Sequence, residues 1–267
     1  MNADNKKVLA VGAHPDDIET FCAGTLFLLR ESGYQIHIAT MTLGDCGSKE
    51  YSAREIQRIR RKEAEAGCEL LGASYHYVGF NDLSIFNNDI SNRRTAALLR
   101  EVDPQIVMTH LPQDYMSDHE TTSLLVRNAC FSAPAPNYDT VSFTSAAPLA
   151  EIPFLYYFEP MDATDIFGQR VKPHFYVDIG RTIESRLEML GRHESQRNWL
   201  RSHHHGIDDY VDAARRRCRN AGERASRACG RNIEYAEGFR QHLGHAYPQE
   251  NILSRILGGL VVPEMAS

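Results

Sequence analysis

The first half of the sequence alternates short apolar runs with longer segments whose apolar residues recur at helical spacing. The short runs, typical of buried parallel strands, are Lys7–Ala13, Gln35–Leu43, Tyr75–Phe80 and Gln105–His110. The helical patterns cover residues 19–32, 53–71 and 92–102. Strands that alternate with helices indicate βαβ units. The pattern therefore predicts an α/β, Rossmann-like fold, in which a mostly parallel sheet carries helices on both faces.

The second half is less regular. Residues 133–150 are rich in Pro, Ala and Ser, which predicts a surface loop, and the run His203–His205 is interpreted as a solvent-facing loop ending at Gly206. Further strands are predicted at Phe154–Phe158 and Phe175–Ile179, and helices at 182–200 and 208–230. We therefore expect one domain over 1–267, with a Rossmann-like core at 1–132 followed by ligand-side loops and C-terminal helices at 133–267.

Composition narrows the class of protein. The chain has 267 residues, 42% of them hydrophobic and 24% charged, which is ordinary for a globular protein, and its formal net charge is −6. This mild acidity argues against nucleic acid as a partner, and no apolar stretch is long enough to predict a membrane span. The six cysteines are scattered without a C-x-x-C pair, which favours reduced thiols in the cytoplasm over a disulfide framework.

One segment departs from this acidic balance. Residues 215–231 hold seven arginines and a single acid, Glu223. Such a segment suits a phosphorylated or acidic substrate or nucleic acid, or else a solvated helix face or a salt-bridged contact between subunits. Because it contains no aromatic residue for base stacking, we favour the solvated or salt-bridged helix.

The residues with the clearest chemistry follow the first predicted strand, in the run from Ala13 to Glu19. His14, Asp16 and Asp17 crowd there, at the end of a parallel strand where ligands bind in such sheets. A helix-capping role explains only one of the two aspartates. His14 and Asp17 are three residues apart and can converge on one ion, which leaves Asp16 free to act as a base.

A second cluster, residues 109–119, follows the fourth predicted strand. His119 opens the next predicted helix and could supply a third ligand. Two histidines and one carboxylate, with a position open for water, form a standard catalytic zinc set. The same set also accepts Fe²⁺ or another divalent metal.

These motifs together resemble one family. The matching runs are His14–Glu19, Gly24–Leu26, Thr42–Gly47, Arg60–Glu63 and Asp114–His119, with fainter matches at Ser195–Gln196 and Tyr235–Phe239. The chain resembles the PIG-L/LmbE family of metal-dependent N-acetylglucosaminyl deacetylases and related amidases. The resemblance implies a zinc-dependent hydrolase that removes an N-acyl group from a small amino sugar or glycoconjugate. It also leaves room for a homo-oligomer, since members of the family often form them.

Carried over by position, the resemblance implies His14, Asp17 and His119 as metal ligands and Asp16 as the general base. In the family's mechanism a water activated by the metal attacks the acetamide carbonyl, and Asp16 takes its proton and passes one to the departing amine. Asp118 is expected to orient a neighbouring ligand. Arg60 falls where the family places a residue that contacts the sugar.

The sequence departs from the family at Met116, where many members carry a histidine that stabilises the oxyanion. Losing one such donor typically costs about 2.7–4 kcal/mol of transition-state stabilisation. Tyr115, His110 or a histidine of the C-terminal half could replace it, and Asp114 is a further candidate for the substrate side or the support of a ligand. The departure keeps two alternatives open: an amidase acting on a thiol-sugar conjugate, and a metal-containing sugar-binding protein with weak or no catalysis.

Overall fold

The computed structural model describes residues 5–203 and 210–264, so that His204 and His205 of the predicted histidine loop lie outside the described residues. The strands are β1 Lys7–Gly12, β2 Gln35–Thr40, β3 Ser74–Tyr77, β4 Ile106–Thr109, β5 Phe154–Phe158, β6 Phe175–Asp178, β7 Ala236–Gln241 and β8 Val261–Pro263. The helices are α1 Asp17–Phe21, α2 Ala23–Glu31, α3 Ala53–Leu71, α4 Asp89–Val102, α5 Ser117–Ser132, α6 Ile183–Gly191, α7 Glu194–His203, α8 Tyr210–Cys229 and α9 Ile252–Leu257.

Strands from both halves of the chain join one eight-stranded sheet in the order β3-β2-β1-β4-β5-β7-β6-β8. The first five strands are parallel, and the pairs β5–β7, β7–β6 and β6–β8 are antiparallel. This confirms the predicted α/β fold with a mostly parallel sheet. Sequence reasoning missed β7, because its Glu237 and Gly238 have low strand propensity.

The central strand β1 shows why the apolar runs look continuous in the sequence. Val8 and Ala10 belong to the apolar layer on one face of the sheet, whereas Leu9 and Val11 belong to the layer on the other face. All four side chains are fully buried, as expected for a parallel strand covered on both sides.

Two predicted helices are interrupted. The predicted helix 19–32 is two helices, α1 and α2, that part at Cys22, and the predicted helix 182–200 divides into α6 and α7. The first break has a tertiary cause: the buried carboxylate of Glu237 accepts hydrogen bonds from the backbone N–H groups of Gly24 and Thr25, at 3.0 and 2.8 Å. These donors start the second helix and have no partner within it.

The strand order also decides where a ligand can bind. β1 lies between β2 and β4, so the chain leaves β1 toward one side of the sheet and later returns on the other side. In open α/β sheets the crevice beyond the carboxyl ends of the strands at this point takes the ligand. His14 follows β1 and His110 follows β4, and both therefore lie at this crevice.

No helix in the described ranges combines the length and apolarity that crossing a bilayer requires.

Candidate metal centre and active site

The turn between β1 and α1 has a strained residue at its centre. Asp16 takes a positive φ of 98°, a conformation that costs a non-glycine residue about 1–3 kcal/mol. Although Asp16 is the N-cap of α1, its side chain makes no capping hydrogen bond. Arg60 holds the turn from outside by donating from Nη2 to the carbonyl oxygen of Pro15 at 2.7 Å. The carboxylate of Asp16 is therefore free of the helix end.

The structure brings the three predicted ligands together. His14, Asp17 and His119 are buried, and each offers one ligand atom within a set whose atoms all lie within 4.8 Å of one another. Asp17 Oδ2 lies 3.6 Å from His14 Nδ1, and Asp17 Oδ1 lies 3.5 Å from His119 Nε2. The backbone N–H of His14 also donates to Asp17 Oδ2 at 2.8 Å, which fixes that carboxylate in the turn.

A carboxylate lies behind each of the two imidazoles. Asp118 Oδ2 lies 3.2 Å from His14 Nε2, and Asp114 Oδ1 lies 2.9 Å from His119 Nδ1. Metal-binding histidines commonly have such a partner, which sets the tautomer and the orientation of the ring. Asp118 therefore supports His14, whereas its chain neighbour His119 is supported by Asp114.

The electrostatics of the cluster suit a cation. Burial alone would lower the pKa of His14, but the carboxylates of Asp118 and Asp17 raise it to about 9. Burial likewise opposes the charge on His119, whose pKa Asp17 and Asp114 raise to about 10. Burial would raise the pKa of Asp17, yet the neighbouring histidines hold it well below its usual range. The carboxylates thus favour positive charge at this point, and the donor set fits a divalent ion such as zinc.

Asp16 lies beside the cluster and has different partners. Its Oδ2 accepts a hydrogen bond from the Tyr210 hydroxyl at 2.5 Å, and its Oδ1 lies 3.5 Å from Arg60 Nη2. Burial raises the pKa of Asp16, and the positive charge of Arg60 only partly opposes this effect. A carboxylate with a raised pKa, close to candidate ligands but outside their set, is suited to accepting and returning a proton.

Two buried histidines have partners within the protein. His110 is fully buried, and its Nε2 lies 3.0 Å from Asp17 Oδ2. Burial lowers the pKa of His110 to about 4, so the ring is neutral and supports the Asp17 carboxylate. His193 is also fully buried, 3.1 Å from Glu19 Oε1. Neither histidine lines the cavity above the cluster, so neither replaces the donor that Met116 lacks.

A cavity of about 660 Å³ opens above the cluster. Tyr115 and Met116 line it from the start of α5, and the ring centroid of Tyr115 lies 5.3 Å from that of His119. The turn after β2 borders the cavity at Cys46 and Gly47. The remaining lining residues are His14, Asp16, Asp17, Thr20, Phe21, Arg60, Asp82, Leu83, His119, Met161, Gln196, Arg197, Trp199, Leu200, Tyr210, Ala213 and Arg217.

Sequence reasoning missed the contribution of α8 to this cavity. Tyr210, Ala213 and Arg217 line it together, at the spacing i, i+3 and i+7 that places residues on one helical face. That spacing was the available signal. Three other arginines of the helix form ion pairs within the chain: Arg215 with Glu184, Arg219 with Glu234 and Arg224 with Glu159.

Comparison with known proteins matches a segment of the chain to one family. The PIG-L family model, described as GlcNAc-PI de-N-acetylase, matches residues 9–130. A 4-oxalmesaconate hydratase of Pseudomonas putida is 26% identical over 248 residues, 90% of each chain. A diacetylchitobiose deacetylase of Thermococcus kodakarensis is 27% identical over 202 residues, 72% of this chain and 71% of that protein.

A solved structure shows the same fold over nearly the whole length. The 4-carboxy-2-hydroxymuconate hydratase GalB of Pseudomonas putida superposes with a TM-score of 0.75 at 24% identity, covering 92% of this chain and all of that one. The family match spans the segment that carries β1, the His14–Glu19 run and the start of α5. Residues 9–130 therefore match the PIG-L (LmbE-like) deacetylase family domain, and the relatives of the chain include deacetylases, hydrolases that act on N-acetyl amide bonds.

Proposed function

We propose that this protein is a zinc-dependent hydrolase that removes an N-acetyl group from an amino sugar or glycoconjugate. The observation that carries the proposal is the position of Asp16, which adjoins the cluster of His14, Asp17 and His119 without belonging to it. A protein that only bound a metal would not need this partly buried carboxylate on a strained backbone. The similarity to a diacetylchitobiose deacetylase supports an N-acetylated sugar as the substrate.

The residues that would hold the metal are His14, Asp17 and His119, with Asp118 and Asp114 supporting the two imidazoles. A divalent ion bound there supplies Lewis-acid chemistry, because it polarises an acyl carbonyl and lowers the pKa of water. Zinc is the metal that two imidazoles and one carboxylate favour, and Fe²⁺ suits the same ligands.

The chain itself supplies the proton transfer. Asp16 takes the proton of the attacking water and gives a proton to the amine nitrogen as the amide C–N bond breaks. Its raised pKa favours holding that proton between the two steps. Tyr210 and Arg60 bind the two carboxylate oxygens and keep the group in position.

Stabilisation of the oxyanion needs a donor that Met116 cannot provide. We assign this role to Tyr115, whose hydroxyl belongs to a side chain that lines the cavity beside His119. A tyrosine phenol keeps its proton at neutral pH and can therefore donate a hydrogen bond. Preorganised donors of this kind act on charge that develops in the transition state.

A second function, the addition of water to an unsaturated acid, is favoured by one observation. The protein aligned over 90% of both chains is a hydratase. Asp16 could move the proton of water in that reaction too, but no amine would be released. The products of the two reactions therefore distinguish them directly.

The test is amine release from a panel of N-acetylglucosamine derivatives, using protein of measured zinc content. Asp16→Asn is run beside wild type, and Asp212→Asn serves as the matched control, since Asp212 is exposed on α8 and does not line the cavity. We expect release that requires zinc, that is lost in Asp16→Asn and that persists in Asp212→Asn.

Three results would overturn the proposal. Zinc-loaded protein that binds the sugars without releasing amine is the sugar-binding protein that the sequence left open. Release from thiol-sugar conjugates alone identifies the amidase alternative. Water addition to an unsaturated carboxylic acid, with no hydrolysis of any N-acyl sugar, establishes the hydratase.

A further inference from the structure

One arginine of α8 lines the cavity and has a buried nitrogen without an acceptor among the residues that the structure describes. The residue is Arg217, whose Nη1 is sealed from solvent and has no hydrogen-bond partner in 5–203 or 210–264. A guanidinium carries five N–H donors, and leaving one of them buried and unpaired costs free energy. The fold tolerates this cost at a wall of the candidate active site.

Among the described residues, no carboxylate forms an ion pair with Arg217. Burial and the nearby positive charge of Arg186 lower the pKa of Arg217, and Cys218 and Asp162 oppose them only in part. Two carboxylates of this region pair with other arginines. Glu159 accepts a hydrogen bond from Arg224, and Glu237 lies 3.1 Å from Arg186 Nε.

Arg217 also lies close to the candidate metal ligands. Its guanidinium carbon is 5.6 Å from the ring centroid of Phe21, and the same ring lies edge-on to His119 at 6.3 Å between centroids. One aromatic side chain thus contacts both the cation and a candidate ligand. A substrate in the cavity can reach the reacting centre and Arg217 at the same time.

We propose that Arg217 binds an anionic group of the substrate, so that the enzyme prefers N-acyl amino sugars that carry a carboxylate or a phosphate. This inference rests on the proposed function and names its substrate class. The planar fork of a guanidinium matches two oxygens of either anion. The anion would also supply the ion-pair partner for Arg217 and the hydrogen-bond acceptor for its Nη1 that the described residues do not supply.

The test compares matched substrates that differ only at the anomeric substituent: the neutral methyl glycoside of N-acetylglucosamine, its carboxymethyl glycoside and the 1-phosphate. The quantity measured is the ratio of kcat/KM for each anion to that for the methyl glycoside. Wild type should prefer at least one anion about tenfold or more, since hydrogen bonds to charged groups contribute this much. The preferred anion identifies which of the two the site takes.

Variants at two positions of α8 test the assignment. Arg217→Gln should bring the ratio close to one, and Arg217→Lys, which keeps the charge but loses the fork, should give an intermediate value. Arg227→Gln is the matched control, because Arg227 is exposed on the same helix and does not line the cavity. It should keep the wild-type ratio.

A binding measurement separates this inference from the hydrolase proposal. Calorimetry with the deacetylated carboxymethyl glycoside and 1-phosphate of glucosamine, against its methyl glycoside, reports anion recognition without any reaction. Tighter binding of an anion that is lost in Arg217→Gln supports the inference even if no N-acyl substrate is hydrolysed. A wild type that prefers the neutral compounds, or an Arg217→Gln protein that keeps the anion preference, overturns it.

Discussion

Replacing Asp114 with asparagine tests whether the carboxylate behind His119 supports metal binding. Asp114 Oδ1 lies 2.9 Å from His119 Nδ1, and both side chains are almost completely buried. The substitution keeps the size of the side chain and removes its charge. It therefore changes the basicity of the His119 imidazole and weakens the contact that orients this candidate ligand. It does so without leaving a cavity in the core.

The expected magnitude follows from this geometry. Removing the partner of a metal-binding histidine typically lowers metal affinity about 10- to 100-fold. That corresponds to about 1.4–2.8 kcal/mol of binding free energy. We expect a loss of zinc affinity within this range, because the 2.9 Å contact between Asp114 and His119 is buried and water does not screen it.

The assay is competition for zinc against a chelator of known affinity, with wild type, Asp114→Asn and the exposed control Asp212→Asn. Thermal unfolding of the metal-free proteins runs alongside, since Asp114 Oδ1 also accepts from the backbone N–H of Met116 at 3.4 Å. A zinc affinity in Asp114→Asn within twofold of wild type, at unchanged metal-free stability, would refute the reasoning.

Three further predictions concern catalysis, packing and pH. Tyr115→Phe should lower kcat about 100-fold or more, because it removes the assigned oxyanion donor. Adding Met116→His to this variant should restore part of the lost kcat. An unchanged kcat in Tyr115→Phe alone counts against the assignment. Gly222→Ala should destabilise the fold by about 1–3 kcal/mol in chemical denaturation, because its Cβ would lie 2.4 Å from a backbone carbonyl oxygen, whereas Gly191→Ala meets nothing and should be neutral. Burial lowers the pKa of His37 to about 4, so the unfolded chain binds more protons between about pH 6.5 and 4. Stability should fall as pH falls through that window, and His37→Gln should flatten the slope; an unchanged slope would contradict the prediction.

The candidate chemistry was readable from the sequence because much of it lies in short segments. His14, Asp16 and Asp17 fall within four residues at the end of a strand, and local backbone geometry alone brings them to one turn. The parallel sheet was equally readable, since a strand buried on both faces must be a continuous apolar run. The structure brings His119 to the same point because β4 lies beside β1.

Contacts between segments that lie far apart in the chain could not be predicted from the sequence. The break between α1 and α2 depends on the carboxylate of Glu237, more than 200 residues away along the chain. The hydrophobic periodicity of the helical segment does not indicate such a distant partner. The partners of Asp16 were hidden for the same reason, because Tyr210 lies 194 residues further on.

The arginine-rich helix shows the difference most clearly. Composition determined that α8 would be strongly basic, and three of its six arginines form ion pairs with described carboxylates of the same chain. Only packing against the sheet decided that Arg217 turns toward the cavity while Arg227 stays exposed. The residue types thus determined the chemistry of groups that lie close together in the sequence, within one turn. The tertiary fold decided which distant groups share the site. The reason is that forces between side chains act over a few ångströms of space and not along the chain.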